Sequence, residues 1–141
     1  MAENQVSVAD VLGSIKLFSD LSRPELEASA HTLEEQVFPQ EQRILRQGFS
    51  GSSFYLVIEG EASVKLDGRD LAKLGRGDFF GEVSILLGEA PTADVVALTP
   101  LRCLVLPAAM LQDFLESNPK VMFRMLQTVA TRLRNTLKWQ N

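Results

Sequence analysis

Between Pro39 and Pro107 glycine and proline cut the chain into short runs rich in Val, Ile, Phe and Tyr, and this punctuation limits the fold more than any other feature. Turns recurring roughly every 8–12 residues leave room for strands but not for a long helix, the pattern of an all-β sandwich or roll. Phe54 to Ile58 form one apolar run ending at Glu59-Gly60, and Ala62, Val64 and Leu66 then alternate with Ser63 and Lys65 as in a half-buried strand. Asp67-Gly68 predicts a tight hairpin, because a two-residue type I′ turn needs positive φ at both positions. Leu71 and Leu74 lie on the return strand, and two more strands, Val95–Leu98 and Leu101–Leu106, meet at Thr99-Pro100.

Helices are expected on both sides of this body. Ser7 followed by Asp10 resembles a capping box, with Val8, Val11, Leu12 and Ile15 at helical spacing behind it. Ser22-Arg23-Pro24-Glu25 sets a cap, an early proline and a glutamate in order, predicting a helix to about Leu33. Glu34-Glu35 then reads as solvated charge at a helix end. Pro107 starts a third helix, with Met110, Leu111, Phe114 and Leu115 on its apolar face. Asn118-Pro119 caps a fourth, in which Met122, Leu126, Val129, Leu133 and Leu137 form a stripe. That stripe either packs on the β body or forms a homodimer seam through the helix of about 119–139. The expected layout is a single domain over 1–141: helices at about 7–35, β body at about 36–106 and C-terminal helices at about 107–139.

Composition narrows the function. A net charge of -4 and a pI near 5.0 argue against broad binding to nucleic acid, which requires clustered Lys and Arg. Cys103 is the only cysteine, so no internal disulfide forms, and its apolar strand makes it a core thiol. The first ten residues lack the basic and apolar regions of a signal peptide, and no run approaches the roughly 20 residues of a membrane helix. A cytoplasmic protein is expected. His31 stands alone, without a second ligand for a metal or a partner for a nucleophile, so neither a metal site nor an enzyme is expected. Arg132, Arg134 and Trp139 read as a solvated helix face.

One stretch is left over: GDFFGEVSILLGEAPTADVV, residues 77–96. Glycine ahead of a short helical turn permits close approach and leaves the first backbone N–H groups unpaired, which attracts phosphate oxygens. A carboxylate there repels phosphate but accepts hydrogen bonds from hydroxyls. A ligand bearing both a sugar hydroxyl and a phosphate satisfies the pair; equally, Gly81 serves a turn and Glu82 is a helix-end charge.

The order of Phe80-Gly81-Glu82, a small residue, an apolar pair, a glycine and then Ala93 before Val95 resembles the phosphate-binding cassette of cyclic-nucleotide-binding domains. These are the domains of catabolite activator proteins, protein kinase regulatory subunits and cyclic-nucleotide-gated channels. The likeness runs along nearly the whole chain. Leu17-Phe18, Leu21-Ser22 and Glu25-Leu26 resemble the family's first helices, Tyr55 to Gly60 its central strand, and Val95–Leu98 and Leu104–Pro107 its closing strands. The resemblance implies a mainly β fold with flanking helices: an eight-stranded β-roll of jelly-roll type, or double-stranded β-helix. It implies a non-enzymatic regulatory domain whose ligand is cAMP or cGMP, with no other cofactor. Gly81, Glu82, Val83, Ser84, Pro91, Thr92 and Ala93 make up the implied site. Glu82 would take the ribose 2′-hydroxyl, the amides of Gly81 and Glu82 would face the ligand, and Thr92-Ala93 would face the cyclic phosphate. In such domains ligand capture moves the C-terminal helices, and a downstream protein partner reads the movement. The transcription-factor branch continues into a DNA-reading helix-turn-helix, which this sequence does not contain.

The sequence departs from the family at one position. The cassette normally ends Pro-Arg-Ser/Thr-Ala, and its arginine pairs with the phosphate. Counted without gaps from Gly81-Glu82, Pro91 stands in that place; a shift of one puts Thr92 there, and Asp94 adds negative charge nearby. Losing a buried, charged hydrogen-bonding partner costs about 2–5 kcal/mol, roughly thirtyfold to several-thousandfold in affinity. Arg69, Lys73, Arg76 and Arg102 are the candidates to replace it. The alternative is a vestigial site on an interaction or dimerisation module.

Overall fold

The computed structural model describes residues 7–49 and 53–139. The first helix, α1 (Val8–Gly13), is capped by Ser7, whose hydroxyl accepts from the Asp10 amide. It stops two residues short of Ile15, which lies buried ahead of a 3₁₀ turn at Lys16–Phe18. Helix α2 (Arg23–Thr32) starts with the expected capping box: Ser22 Oγ accepts from the Glu25 amide, and Glu25 accepts from the Ser22 amide.

Eight strands follow: β1 (Glu34–Phe38), β2 (Arg43–Leu45), β3 (Ser53–Glu59), β4 (Ala62–Leu66), β5 (Arg69–Leu74), β6 (Phe79–Phe80), β7 (Asp94–Ala97) and β8 (Leu101–Pro107). They form two four-stranded antiparallel sheets, β1-β8-β3-β6 and β2-β7-β4-β5. Helix α3 (Glu82–Leu87) interrupts them, and α4 (Ala108–Ser117) and α5 (Pro119–Trp139) close the chain. This is the mainly β fold with flanking helices that was expected. At the β4–β5 hairpin Asp67 and Gly68 have φ of 51° and 80°, both positive as the turn requires.

Two boundaries differ from the sequence reading. Glu34 and Glu35 belong to β1, whose exposed residues pair along β8, so the first helical region ends earlier than about residue 35. Glu35 accepts two hydrogen bonds from Arg102, and is an ion-pair partner rather than a solvated helix end. Pro107 is the N-cap of α4, one place before the helix.

The central strands β3 and β8 are buried on both faces, so their apolar runs are nearly continuous. Phe54, Leu56, Ile58, Leu104 and Leu106 pack towards the helices with Leu12, Phe18, Leu111 and Val121. Val57, Leu101, Cys103 and Val105 point between the sheets, against Phe80, Val95 and Ala97. Strand alternation thus feeds two cores from one sheet.

Candidate functional site

Strand β6 lies at the edge of one sheet, while β7 is internal to the other. Residues 81–93 therefore cross from sheet to sheet. The crossing is anchored by two aromatic residues on opposite faces. Phe79 packs towards the helices, its ring 5.7 Å from Phe54, and Phe80 stacks on Tyr55 at 4.7 Å inside the roll. Gly81 follows with φ of 93°, and a Cβ there would run into the Ser53 carbonyl oxygen. Glycine is required twice over, for its dihedral angle and for space.

Glu82 begins α3 and is only 4% exposed. Its Oε2 accepts from Arg132 Nη1 at 3.2 Å. Burial pushes the carboxyl above its ordinary range, while Arg132 and the residue's own backbone N–H pull the other way. Arg132 reaches down from α5. Its Nη2 donates to the Phe79 carbonyl at 2.7 Å, and its guanidinium carbon lies 4.5 Å from the Phe79 ring centroid. Solvated charge was the expectation for Arg132, and it is wrong: the side chain is half-buried and both its terminal nitrogens are bonded. Arg134 is exposed as expected, and the side chain of Trp139 falls outside the described residues.

Val83 is exposed on α3, and Ser84 is buried, its hydroxyl donating to the Gly81 carbonyl at 3.3 Å. Pro91 is buried and its carbonyl accepts from the Gly48 amide at 2.9 Å; Thr92 is exposed and Ala93 half-buried. Asp94 is tied down by the Gln47 amide, 2.7 Å from its Oδ1, and by Arg43. Among the described residues no cation bonds to 91–93. Arg76 donates to the Ile58 carbonyl and Ser14 Oγ, Arg102 pairs with Glu35 and Glu59, and Arg69 and Lys73 sit on β5, the far edge of the second sheet. Arg46, in the turn held against Pro91, lies 6.0 Å from the Phe49 ring.

A polar cavity of about 630 Å³ lies elsewhere, under α5, lined by Lys16, Arg76, Asp78, Arg124, Gln127 and Thr131 among others. Phe79 borders it, but Glu82 and the 91–93 segment do not. Cys103 is fully buried, and desolvation pushes its thiol up to about 12, which leaves it inert at neutral pH. His31 is exposed. Among the described residues no group of His, Cys, Asp and Glu is arranged to hold a metal, and no helix is long and apolar enough to cross a membrane. The absence of a signal peptide concerned residues that include 1–6, outside the described part.

Sequence reasoning missed Arg132 because it followed the wrong face of α5. Val121 and Met125 are buried and Val129 is half-buried, and Arg132 continues that line at helical spacing. Of the stripe chosen from sequence, Val129 belongs to that covered line, and the other members lie one residue round. Met122, Leu126, Leu133 and Leu137 on it are 40–61% exposed, so packing on the β body is not their role.

The sequence model of the family described as "Cyclic nucleotide-binding domain" matches residues 35–118. A cAMP-dependent protein kinase regulatory subunit of Debaryomyces hansenii is 36% identical over 90 residues, covering 63% of this chain and 20% of that protein. A protein named glutaminase 2 from Bradyrhizobium diazoefficiens is 32% identical over 127 residues, 89% of this chain and 20% of its own length. This chain thus spans about a fifth of these curated relatives. Among solved structures, the Thermus thermophilus catabolite activator protein superposes with a TM-score of 0.78 at 29% identity, over 88% of this chain and 61% of that one. A regulatory subunit of a cAMP-independent protein kinase A from Trypanosoma brucei superposes at 0.72 with 28% identity, over 84% of this chain and 44% of that one. The latter is a triple mutant bound to cAMP, and one of its substitutions turns a threonine into arginine.

Proposed function

The chain belongs to the cyclic nucleotide-binding domain family, and from that premise we propose that residues 81–93 are its nucleotide cassette, in a non-enzymatic regulatory module that binds cAMP or cGMP weakly. The observation that carries this reading is Glu82, a carboxylate buried at the start of α3 behind a glycine that admits no side chain. Burying a carboxylate is costly unless its oxygens are used, and a sugar hydroxyl is a natural donor to one. Gly81, Val83 and Ser84 shape the turn around it, and Pro91, Thr92 and Ala93 form the phosphate end.

Weakness follows from that end. Pro91 has no N–H, its carbonyl is already used by Gly48, and among the described residues no cation bonds to 91–93. The Trypanosoma relative, called cAMP-independent, supports arginine as the missing lever, since its cAMP-bound form carries a threonine-to-arginine change. Calorimetry with cAMP and cGMP on wild type, Thr92→Arg and Pro91→Arg tests this. The expected result is weak heat at millimolar nucleotide for wild type and a gain of roughly thirtyfold or more in one arginine variant. No binding in any of the three rejects the nucleotide reading.

A second reading is favoured by a separate observation. The exposed stripe of Met122, Leu126, Leu133 and Leu137 is an unusual amount of apolar surface for a solvated helix, and it fits a homodimer seam along α5. On that reading the nucleotide site is vestigial and the module acts by association.

A further inference from the structure

The polar cavity under α5 carries a charge pattern that the cassette does not use. Its volume of about 630 Å³ falls within the roughly 300–1,000 Å³ of small-molecule sites. Three separate parts of the chain wall it: residues 14–17, residues 76–79 and one face of α5 between 124 and 131. Arg76 is fixed at its edge by neutral acceptors, with Nη1 donating to the Ile58 carbonyl at 2.8 Å and Nη2 to Ser14 Oγ at 2.6 Å. Among the described residues no carboxylate pairs with Arg76, and the Lys16 ammonium has no partner at all. Arg124 differs, since Asp20 takes two hydrogen bonds from it and matches its charge. Two positive charges thus line the cavity without a counter-ion.

The remaining polar lining accepts. Thr128 and Thr131 spend their hydroxyl protons on the Arg124 and Gln127 carbonyls, which leaves their oxygens as acceptors. Asp78 adds a carboxylate, one oxygen of which takes the Gly75 amide. Ile15 and Phe79, both buried, supply an apolar part.

We propose that this cavity is a second binding site, for a phosphate monoester that also carries hydroxyl groups, its phosphate held by Arg76 and Lys16 and its hydroxyls by Asp78, Thr128 and Thr131. A phosphate monoester bears about −1.5 to −2 charge at neutral pH, which matches the two unpaired cations. A carboxylate or a cyclic phosphodiester bears one charge and leaves a cation over. The Arg76 fork is already oriented by its two bonds, so little freedom is lost when it meets phosphate oxygens. Asp78 repels a second anionic group and favours hydroxyls in its place. The inference stands apart from the nucleotide reading, because no residue of 81–93 lines the cavity.

Glucose 6-phosphate, glucose and inorganic phosphate serve as probes, titrated at constant ionic strength into the isotope-labelled full chain and followed by the NMR shifts of its amides. Glucose 6-phosphate is expected to move the signals of 14–17, 76–79 and 127–131 and to leave those of 81–93 in place. Inorganic phosphate should move the same set at about tenfold higher concentration, and glucose should move none. Lys16→Gln, at an exposed position, is expected to weaken glucose 6-phosphate binding about tenfold, the loss of one charge-assisted bond. Arg76→Gln should lose at least as much; if it fails to fold, Lys16→Gln decides alone. No shift in the three segments, or an affinity unchanged in Lys16→Gln, overturns the proposal. Glucose binding as well as its phosphate overturns the anion half, and inorganic phosphate binding as well as glucose 6-phosphate overturns the hydroxyl half. Shifts confined to 81–93 overturn the separate site. The behaviour of cAMP at 81–93 is read from the same amides in its own titration, so either reading can fail without the other.

Discussion

Glu82 and Gly81 work as a pair, and each has a measurable consequence. A carboxyl whose pKa is higher in the folded chain than in the unfolded one keeps a proton that the unfolded chain has released. Its contribution to stability therefore falls as pH rises above the usual carboxylate value of 4.5. Burial causes that shift at Glu82, and Arg132 offsets part of it. Glu82→Gln removes the titrating group, so urea unfolding at stepped pH is expected to show a stability loss between about pH 4.5 and pH 7 that is smaller in the variant than in wild type. Equal slopes contradict it. Gly81→Ala forces a side chain into positive φ and against the Ser53 carbonyl. It is expected to lower stability by on the order of 2–3 kcal/mol, seen as a lower urea midpoint with an unchanged m-value. A change below about 0.5 kcal/mol would mean that the backbone there is not constrained.

At the level of elements, α5 decides between a monomer and a pair of chains. Its buried line is short, Val121 and Met125 with Val129 partly covered, while the neighbouring stripe is left open. On the homodimer reading, sedimentation of wild type against Leu133→Glu is expected to show a dimer turned into a monomer; a monomer in both removes the seam. The same helix shows where sequence reading fails. Helical period alone finds an apolar stripe, but two stripes one residue apart lie about 100° apart on the surface, and only packing reveals which is covered. The short strands β1 and β2 were missed for a related reason. Their residues are largely exposed and charged, Glu34-Glu35-Gln36 and Arg43, so no alternation marks them. By contrast the capping box at Ser22 and the hairpin at Asp67-Gly68 were legible, because each is a local chemical requirement met by adjacent residues.

For the whole molecule, the fold was readable because glycine turns and doubly buried strands leave strong marks in sequence, and the family likeness covered the rest. The candidate site was only half readable. Glu82 announces itself beside Gly81, but its partner Arg132 is 50 residues away and is brought there by the docking of α5. The central claim is that a nucleotide sits on the crossing between the two sheets and not in the separate cavity beneath α5. A crystal structure grown with millimolar cAMP tests this most directly. The prediction is a nucleotide on the 81–93 segment with its ribose hydroxyl on Glu82. A nucleotide in the cavity between Arg76 and Arg124, with none on the 81–93 segment, would contradict it.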